Sequence, residues 1–531
     1  MKNPPRQRLV LWLKLILIGL CIAVTSISLP LIKPVTAAVS ATQLQYLPFI
    51  TKSSLYDWLQ FNGDASHSGN NTLENKISVS SVGQLQMLFQ VSLPGIADGA
   101  PVYLSNVSTS SGLRDVIFVT TRAGHIAALD AHTGVLLWSK QHGPAGCLIN
   151  HNQSRNELCY TTSSPAIDPN REFVYSYGLD GYVHKYAVGD GTEILTGGWP
   201  KLTTLKGYDE KGSSALSIAT ATNGTSFLYV AQAGYPGDLG NYQGHLTVIN
   251  LTDGTQKVFN TLCSDQTVHF VDSRITTGPD CYPDTTAAVW ARPGVIYDPY
   301  HDRILISTGN GTFQPANFLW GDTVLSLNPD GSGSGGSPLD SYTPANYQSL
   351  QDLDLDLGST APAILPPASG KYPRLAVQGG KDGVLRLINL DQLSGQSGVG
   401  HTGGEVFSMA APMGGNILTQ PAVWVNPADS SIWIFVSNDA GLAGFQLTIS
   451  PGGDPSLTLK WTSGGGTSPL EANGVVFIAH GGLIAALNAT TGNQLWSDIH
   501  IGQIHWESPI VANGMLYITN QNGNLTAYSL P

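Results

Sequence analysis

Residues that could do chemistry are concentrated between positions 230 and 390. Three aspartates, Asp352, Asp354 and Asp356, alternate with leucines, and Asn310 lies between two glycines. Carboxylate and amide oxygens suit a hard cation such as Ca²⁺, and a carboxylate within reach of a hydroxyl group can take its proton. Structure alone is the alternative explanation, since alternating aspartates suit a solvated loop and Gly-Asn-Gly suits a left-handed turn.

Several common kinds of active site have no counterpart in the sequence. The 13 histidines show neither an HExxH pair nor another paired-ligand spacing. No phosphate-binding loop of the GxxxxGKS/T type and no GxSxG nucleophile elbow occurs. The net charge of −12 comes without a basic stripe, so nucleic acid is not an expected partner. An acidic surface favours solubility and could also steer a cationic partner.

Long loop segments lie in the same central region and are rich in Gly, Asp, Pro and Asn. They are residues 232–245, 263–290, 312–321 and 331–358. Loops on a rigid scaffold are where binding usually occurs, so this region is the predicted location of a functional site.

A repeated unit organises the rest of the chain. Charged residues make up only 12% of the sequence, with 60 Gly and 32 Pro, which favours short strands joined by tight turns. Each unit opens on a small residue, usually followed by Pro, and then an apolar strand. The openings are Ala100-Pro101, Ser164-Pro165, Ser214-Ala215, Arg292-Pro293, Ala361-Pro362, Gln420-Pro421, Ser468-Pro469 and Ser508-Pro509. Arg292 and Gln420 break the small-residue rule, and Ser214-Ala215 lacks the Pro.

Eight openings predict an all-β, eight-bladed β-propeller over residues 57–531. The individual strands are too short to be stable alone, but twisted four-stranded sheets stacked around an axis bury both of their faces. The last blade has only three strands before Pro531, so we predict that residues 85–91 supply its fourth and that this N-terminal strand closes the ring. A pair of open sandwiches is the alternative.

Several segments resemble those of pyrroloquinoline-quinone (PQQ) repeat proteins. The stretch from Asp57-Trp58 to His67 and Gly69 resembles the start of PQQ-repeat propellers. Other stretches resemble, in family order, segments of PQQ-dependent alcohol dehydrogenases and of secreted polyvinyl-alcohol-dehydrogenase-like proteins. These stretches are residues 237–244, 290–299 with 304–310, 352–356 and 381–389. The repeat resemblance covers nearly all of residues 55–531, and the site resemblance covers about 230–390.

The resemblance implies a role for each of five residues. Trp290 would stack on the planar quinone, and Lys381 would contact its oxygens. Asp238 and Asn310 would ligate Ca²⁺, and Asp354 would be the general base that takes the proton of the substrate hydroxyl. The implied activity is a PQQ- and calcium-dependent dehydrogenase that oxidises a small or polymeric alcohol and passes electrons to a separate acceptor.

Departures from the family pattern support a second hypothesis. The chain has no pair of adjacent cysteines and no CxxCH haem motif, Asp238 replaces a longer Glu, and Leu353 replaces a Trp. Trp290 would also fit packing between blades, and Asp238 and Lys381 would also fit turns. The alternative is therefore a non-catalytic propeller that binds a protein or cell-envelope partner as a scaffold, as the PQQ-repeat lipoprotein of outer-membrane assembly does.

The N-terminus predicts export. Residues 1–38 combine a basic start, an apolar run and small residues suited to cleavage, so they are a signal peptide or, if retained, a membrane anchor. Residues 39–56 are the predicted linker. The expected location is extracellular or in the cell envelope, with membrane contact only through this segment.

Four further cysteines predict two disulfides in an exported chain. Three pairings of Cys147, Cys159, Cys263 and Cys281 are open. The local pairs Cys147–Cys159 and Cys263–Cys281 are favoured because each closes a single loop.

Overall fold

Short β-strands, nearly all of them paired antiparallel, are the main regular secondary structure of the computed structural model. It describes residues 55–143, 147–149, 157–236, 238, 240–274 and 277–531. The predicted export segment and most of the predicted linker lie outside these residues. The described residues from Leu55 to Pro531 form one unit, and no helix among them is long and apolar enough to cross a membrane.

The strands form eight blades, and seven of them begin just after a predicted opening. In blade three one strand precedes the opening Ser214-Ala215 and the next strand follows it. Before the first blade come β1 (Asn70–Asn71) and β2 (Gln86–Ser92). Blade one contains β3 (Val102–Thr109), β4 (Gly112–Thr120), β5 (His125–Asp130) and β6 (Leu136–Gln141). Blade two contains β7 (Ala166–Ile167), β8 (Phe173–Tyr177), β9 (Tyr182–Ala187) and β10 (Lys201–Leu202).

The next two blades carry extra strands. Blade three contains β11 (Glu210–Gly212), β12 (Ser217–Thr220), β13 (Ser226–Gly234), β14 (His245–Asn250) and β15 (Gln256–Asn260). Blade four contains β16 (Ile296–Asp298), β17 (Arg303–Ser307), the inserted hairpin of β18 (Phe313–Gln314) and β19 (Leu319–Trp320), β20 (Val324–Leu327) and β21 (Asp340–Tyr342). One short helix, α1 (Tyr347–Leu353), follows it.

The last four blades are regular. Blade five contains β22 (Ala363–Ile364), β23 (Leu375–Gln378), β24 (Val384–Asn389) and β25 (Phe407–Ala410). Blade six contains β26 (Ala422–Val425), β27 (Ile432–Ser437), β28 (Leu442–Ile449) and β29 (Pro455–Ser463). Blade seven contains β30 (Leu470–Ala472), β31 (Val475–His480), β32 (Leu483–Asn488) and β33 (Gln494–Asp498). Blade eight contains β34 (Ile510–Ala512), β35 (Met515–Thr519) and β36 (Asn524–Ser529).

Among the described residues, 3-10 helices lie at Val82–Gln84, Pro315–Asn317 and Leu357–Ser359.

The two ends of the described chain close the ring as predicted. Strand β2 pairs antiparallel with β36 as the outer strand of blade eight, with Phe89 opposite Ala527 and Val91 opposite Leu525. One apolar cluster spans blades seven, eight and one at this seam. The predicted closing strand is confirmed, with its bounds shifted by one residue.

The segment that precedes the blades runs past the inner strands. Leu59, Ala65 and Ser68 accept backbone N–H bonds at 2.8–2.9 Å from the inner strands of blades two, four and six. Inner strands have an open edge towards the axis, and this segment satisfies part of it.

Tryptophans on outer strands join neighbouring blades. Trp138 on β6 donates its indole N–H to the Val188 carbonyl of blade two at 3.1 Å. Its ring covers Gly191, where an added Cβ would lie 2.6 Å from the ring atoms. Trp461 on β29 covers Gly492 of blade seven in the same way. Each glycine is therefore required by the close approach of the indole, as well as by its positive φ.

Both favoured disulfides are present. Cys147 pairs with Cys159, and Cys263 pairs with Cys281. Four cysteines can pair in three ways, and the favoured way, with two local disulfides, is confirmed.

The inter-blade contact predicts a stability difference between two positions on β29. Trp461 is buried, whereas Leu459 on the same strand is 41% exposed. Trp461→Ala is expected to lower the free energy of unfolding by about 3–5 kcal/mol, because it leaves a cavity between blades six and seven. Leu459→Ala is the matched control and should change it by less than about 0.5 kcal/mol. Equal urea midpoints for the two variants would contradict the interpretation.

Candidate functional site

A cavity of about 320 Å³ is lined mainly by residues of blades three to five, where the long inserts are, together with Thr162, Leu418 and Trp506 from other blades. The repeat places its wall in register. The residue two positions before each opening is, in order, Asp98, Thr162, Gly212, Trp290, Ser359, Leu418, Gly466 and Trp506. Four of these, Thr162, Trp290, Leu418 and Trp506, line the cavity. Equivalent positions of different blades therefore converge on one space.

The five predicted site residues come together at this cavity. Asp238, Trp290, Asp354 and Lys381 line it. Asn310, in the turn after β17, donates its side-chain N–H to Asp354 at 3.2 Å. The segments that match the family in their order along the chain therefore lie together in the fold. The role of each residue stays a prediction.

Lys381 ties the acidic residues together. Its Nζ lies 3.1 Å from Asp354 Oδ1, contacts Asp356, and lies 5.3 Å from the centroid of the Trp290 ring. The Asp354 side chain is 69% exposed, whereas that of Asp356 is buried. Burial works to lower the pKa of Lys381, but the carboxylates of Asp356 and Asp354 outweigh it and raise the pKa. Lys381 is therefore a fixed cation beside two anions.

Asn310 is held by its backbone and leaves one oxygen free. Its N–H donates to Asp356 Oδ1 at 2.6 Å. Its side-chain Oδ1 is buried and has no hydrogen-bond partner among the described residues. A buried amide oxygen without a partner is costly, and a bound cation would satisfy it.

Backbone conformation does not explain Asn310. The left-handed turn, which is the alternative explanation for Gly-Asn-Gly, does not occur at Asn310, because Asn310 is not among the residues with positive φ. The flanking Gly309 is required by space instead, since an added Cβ would lie 2.1 Å from Asp356 Oδ1 and 3.0 Å from the Trp290 indole nitrogen.

Asp238 completes the acidic group. It accepts a hydrogen bond from the Tyr242 hydroxyl. Burial and the carboxylates of Asp356 and Asp354 raise its pKa, although the Tyr242 bond opposes them. Three carboxylates and a free amide oxygen fit a hard cation, which prefers six to eight oxygen ligands.

Buried cations form the second part of the cavity wall. Arg292 donates to the carbonyls of Ser213, Thr162 and Asp98 at 3.1–3.3 Å, and its Nε has no partner among the described residues. Burial lowers the pKa of Arg292 to about 10, so it stays charged at neutral pH.

Lys211 is the other buried cation. Its Nζ lies 4.6 Å from the centroid of the Tyr160 ring. Burial lowers the pKa of Lys211 to about 7, and the nearby Arg292 adds to this effect while Asp98 opposes it. This lysine therefore changes charge near neutral pH.

Sequence reasoning missed several cavity residues. Arg292 had a signal, because it breaks the small-residue rule at the opening of blade four. Lys211 and Trp506 had none. Asp322 was also missed: it accepts the Leu357 N–H at 2.9 Å, and burial, together with the Asp356 charge, raises its pKa to about 7.

Comparison with known proteins identifies the fold. No curated protein sequence matches the chain. Residues 423–530 match the sequence profile of a family described as outer membrane protein assembly factor BamB. Among solved structures, quinohemoprotein alcohol dehydrogenase ADHIIG from Pseudomonas putida HK5 superposes with a TM-score of 0.61 and 15% identity, covering 89% of this chain and 80% of that one. A europium-containing methanol dehydrogenase gives a TM-score of 0.61 and 14% identity, covering 87% of this chain and 89% of that one.

A third similar structure has the same fold. Quinohemoprotein alcohol dehydrogenase from Comamonas testosteroni gives a TM-score of 0.59 and 14% identity, covering 89% of this chain and 80% of that one. At these identities the likeness establishes architecture, and it confirms the predicted eight-bladed propeller of the PQQ-repeat type.

The contacts of Lys381 predict a pH-dependent stability change. Its raised pKa means that the contact stabilises the fold below the ordinary lysine pKa, and that this stabilisation is lost as the pH rises through the raised pKa of Lys381. Lys381→Met is therefore expected to lower the free energy of unfolding by about 1–3 kcal/mol at pH 7, and the deficit should shrink as the pH rises above about 10.4.

A surface ion pair provides the control for this prediction. Lys371 lies 2.7 Å from Asp454, with both side chains more than half exposed. Lys371→Met should change the unfolding midpoint little at any pH. A deficit in Lys381→Met that does not shrink between pH 7 and about pH 11.5 would contradict the electrostatic explanation.

Proposed function

We propose that this PQQ-repeat propeller is a quinoprotein that binds PQQ and a hard metal cation in its cavity and oxidises an alcohol or polyol. One observation carries the proposal: a tryptophan, two buried cations and a group of carboxylates line a single cavity, and beside those carboxylates lies a buried amide oxygen that has no partner among the described residues. The two disulfides fit a protein that works outside the cytoplasm.

The cavity suits a planar, anionic cofactor. Its volume of about 320 Å³ is in the usual range for small-molecule sites. Trp290 offers an aromatic face, and Trp506 adds a second aromatic side chain to the wall. Arg292 and Lys211 would bind the carboxylates of the cofactor, and the free Nε–H of Arg292 would gain an acceptor.

The acidic group suits the metal. Asp238, Asn310 and Asp356 would hold the cation, with Asp354 beside it. The shorter side chain of Asp238, relative to the Glu of the family, would be offset by the additional carboxylate of Asp356. One of the similar structures contains europium, and three carboxylates give this site enough negative charge for a trivalent lanthanide as well as for Ca²⁺.

The residues of the chain would prepare the substrate for oxidation. PQQ, when bound, supplies the two-electron acceptor for the alcohol carbon. Asp354, exposed to the cavity, takes the hydroxyl proton, while Lys381 and the Asn310 amide orient its carboxylate. The aromatic side chains of Trp290 and Trp506 exclude water from the reacting face. Electrons then pass to a separate acceptor.

A scaffold function is the second candidate, favoured by one observation. Residues 423–530 match the profile of a family described as an outer-membrane assembly factor. In that case a protein or cell-envelope component would be the partner, and the cavity would bind no cofactor.

Cofactor binding separates the two functions. PQQ titrated into the purified chain with Ca²⁺ or a lanthanide should quench tryptophan fluorescence at one equivalent, and the affinity should fall more than about 10-fold in Asn310→Ala and Trp290→Ala. Leu353→Ala, at a 64% exposed position beside Asp354, is the matched control. Asp354→Asn should bind PQQ normally and turn over alcohols at least about 100-fold more slowly with an artificial acceptor. No quenching with either cation would reject the quinoprotein and favour the scaffold.

Cofactor affinity should depend on pH through Lys211. Since its pKa in the free protein is about 7 and an anionic ligand favours the charged form, binding takes up a proton above that pH. The affinity for PQQ should therefore be highest below pH 7 and fall as pH rises. Lys211→Met should bind more weakly and lose this dependence, whereas Lys257→Met on the exposed edge of blade three should keep it. A wild-type affinity that does not change between pH 6 and pH 9 would count against contact between Lys211 and the cofactor.

A further inference from the structure

A second group of ligand-type side chains lies between blades one and two, among residues that do not line the cavity. His142 follows β6 of blade one. Asp180 lies in the turn before β9 of blade two, and His184 lies on β9. One ligand atom from each of these three residues lies within 4.8 Å of the other two. The group therefore has the size of a metal coordination shell.

One carboxylate orients both imidazoles. Glu193 accepts from His184 Nδ1 at 2.7 Å through Oε1 and from His142 Nε2 at 3.1 Å through Oε2. The two rings stack with centroids 3.8 Å apart and an interplanar angle of 15°. Glu193 holds one nitrogen of each ring, which is how carboxylates orient metal-bound histidines, and the second nitrogen of each ring can become a metal ligand once it is deprotonated.

The other nitrogen of His184 faces Asp180. His184 is 2% exposed, and its Nε2 lies 3.2 Å from the Asp180 carboxylate. His142 and Asp180 are partly exposed, with side-chain values of 28% and 34%. A cation could therefore enter from the solvent side.

A glycine keeps space open beside these atoms. An added Cβ at Gly178 would lie 2.5 Å from Asp180 Oδ1 and 2.7 Å from His184 Nε2. Gly178 is not among the glycines with positive φ, so the backbone does not require it. The absence of a side chain instead leaves room next to the two ligand atoms.

We propose that His142, Asp180 and His184 bind Zn²⁺ between blades one and two, with Glu193 as the positioning residue for both histidines. Two imidazoles and one carboxylate are a ligand set that Zn²⁺ binds tetrahedrally, with water in the fourth position. Nitrogen ligands distinguish this site from the all-oxygen group at the cavity, which suits a harder cation. The ion would also join blades one and two, because it has ligands from both.

Cobalt substitution tests the site in the full chain. Co²⁺ added to the purified protein should produce the visible absorption of tetrahedral Co²⁺ at one equivalent, and Zn²⁺ should displace it. The bands should be lost in His142→Ala and in Asp180→Asn, two partly exposed positions at which the fold should persist by circular dichroism. Glu193→Gln should weaken Zn²⁺ binding by about 10- to 100-fold without removing it.

The control is another histidine–carboxylate pair of blade one. His132 lies 2.8 Å from Asp115, and the part of the chain that the structure describes adds no third ligand to this pair. His132→Ala should therefore bind Co²⁺ like the wild type. Absence of the tetrahedral bands in the wild type would overturn the proposal. So would bands that persist in both His142→Ala and Asp180→Asn but disappear in Asn310→Ala, because that pattern would assign the metal to the cavity.

Discussion

A four-stranded sheet that is apolar on both faces is stable only when another sheet covers each face. This constraint accounts for the ring, because any open arrangement would leave two faces uncovered. The same need to cover both faces applies at the seam, where the two ends of the described chain meet. There β2 adds the fourth strand to blade eight, one apolar cluster spans three blades, and Trp496 donates its indole N–H to the Leu85 carbonyl at 3.1 Å. The chain thus uses its N-terminal part to complete its C-terminal blade.

The same repetition creates the cavity. Every blade opens in the same register, so the residues just before the openings occupy equivalent positions, and four of the eight line the cavity. Trp290 and Trp506 provide aromatic surface, and Thr162 provides a carbonyl to Arg292. The long inserts of blades three to five then add the acidic residues from one side. Blades of similar structure therefore contribute chemically different side chains to one cavity.

The polar groups of the cavity have a cost that packing does not explain. The Asn310 Oδ1 and the Arg292 Nε–H are buried without partners among the described residues, and each such group costs about 1–3 kcal/mol. Lys211 and Asp322 have pKa values moved to about 7 by burial. Buried polar groups without partners and shifted pKa values are typical of functional sites, where a ligand supplies the missing interaction. That is the physical reason to prefer a binding cavity to a structural one.

The sequence alone determined the eight openings and the closing strand, and it favoured the local disulfides. Those features depend on period, chain order and short loops, which are properties of the chain itself. The grouping of Asp238, Trp290, Asn310, Asp354 and Lys381 came from the resemblance of their segments to a known family. Only the tertiary structure decided that Arg292, Lys211 and Trp506 belong to the cavity and that Asn310 avoids a left-handed turn. It alone brought His142 to His184, because no pattern within one repeat encodes which side chains of two blades face each other. Distances between blades are determined by how the sheets stack, and stacking depends on side chains that are far apart in sequence.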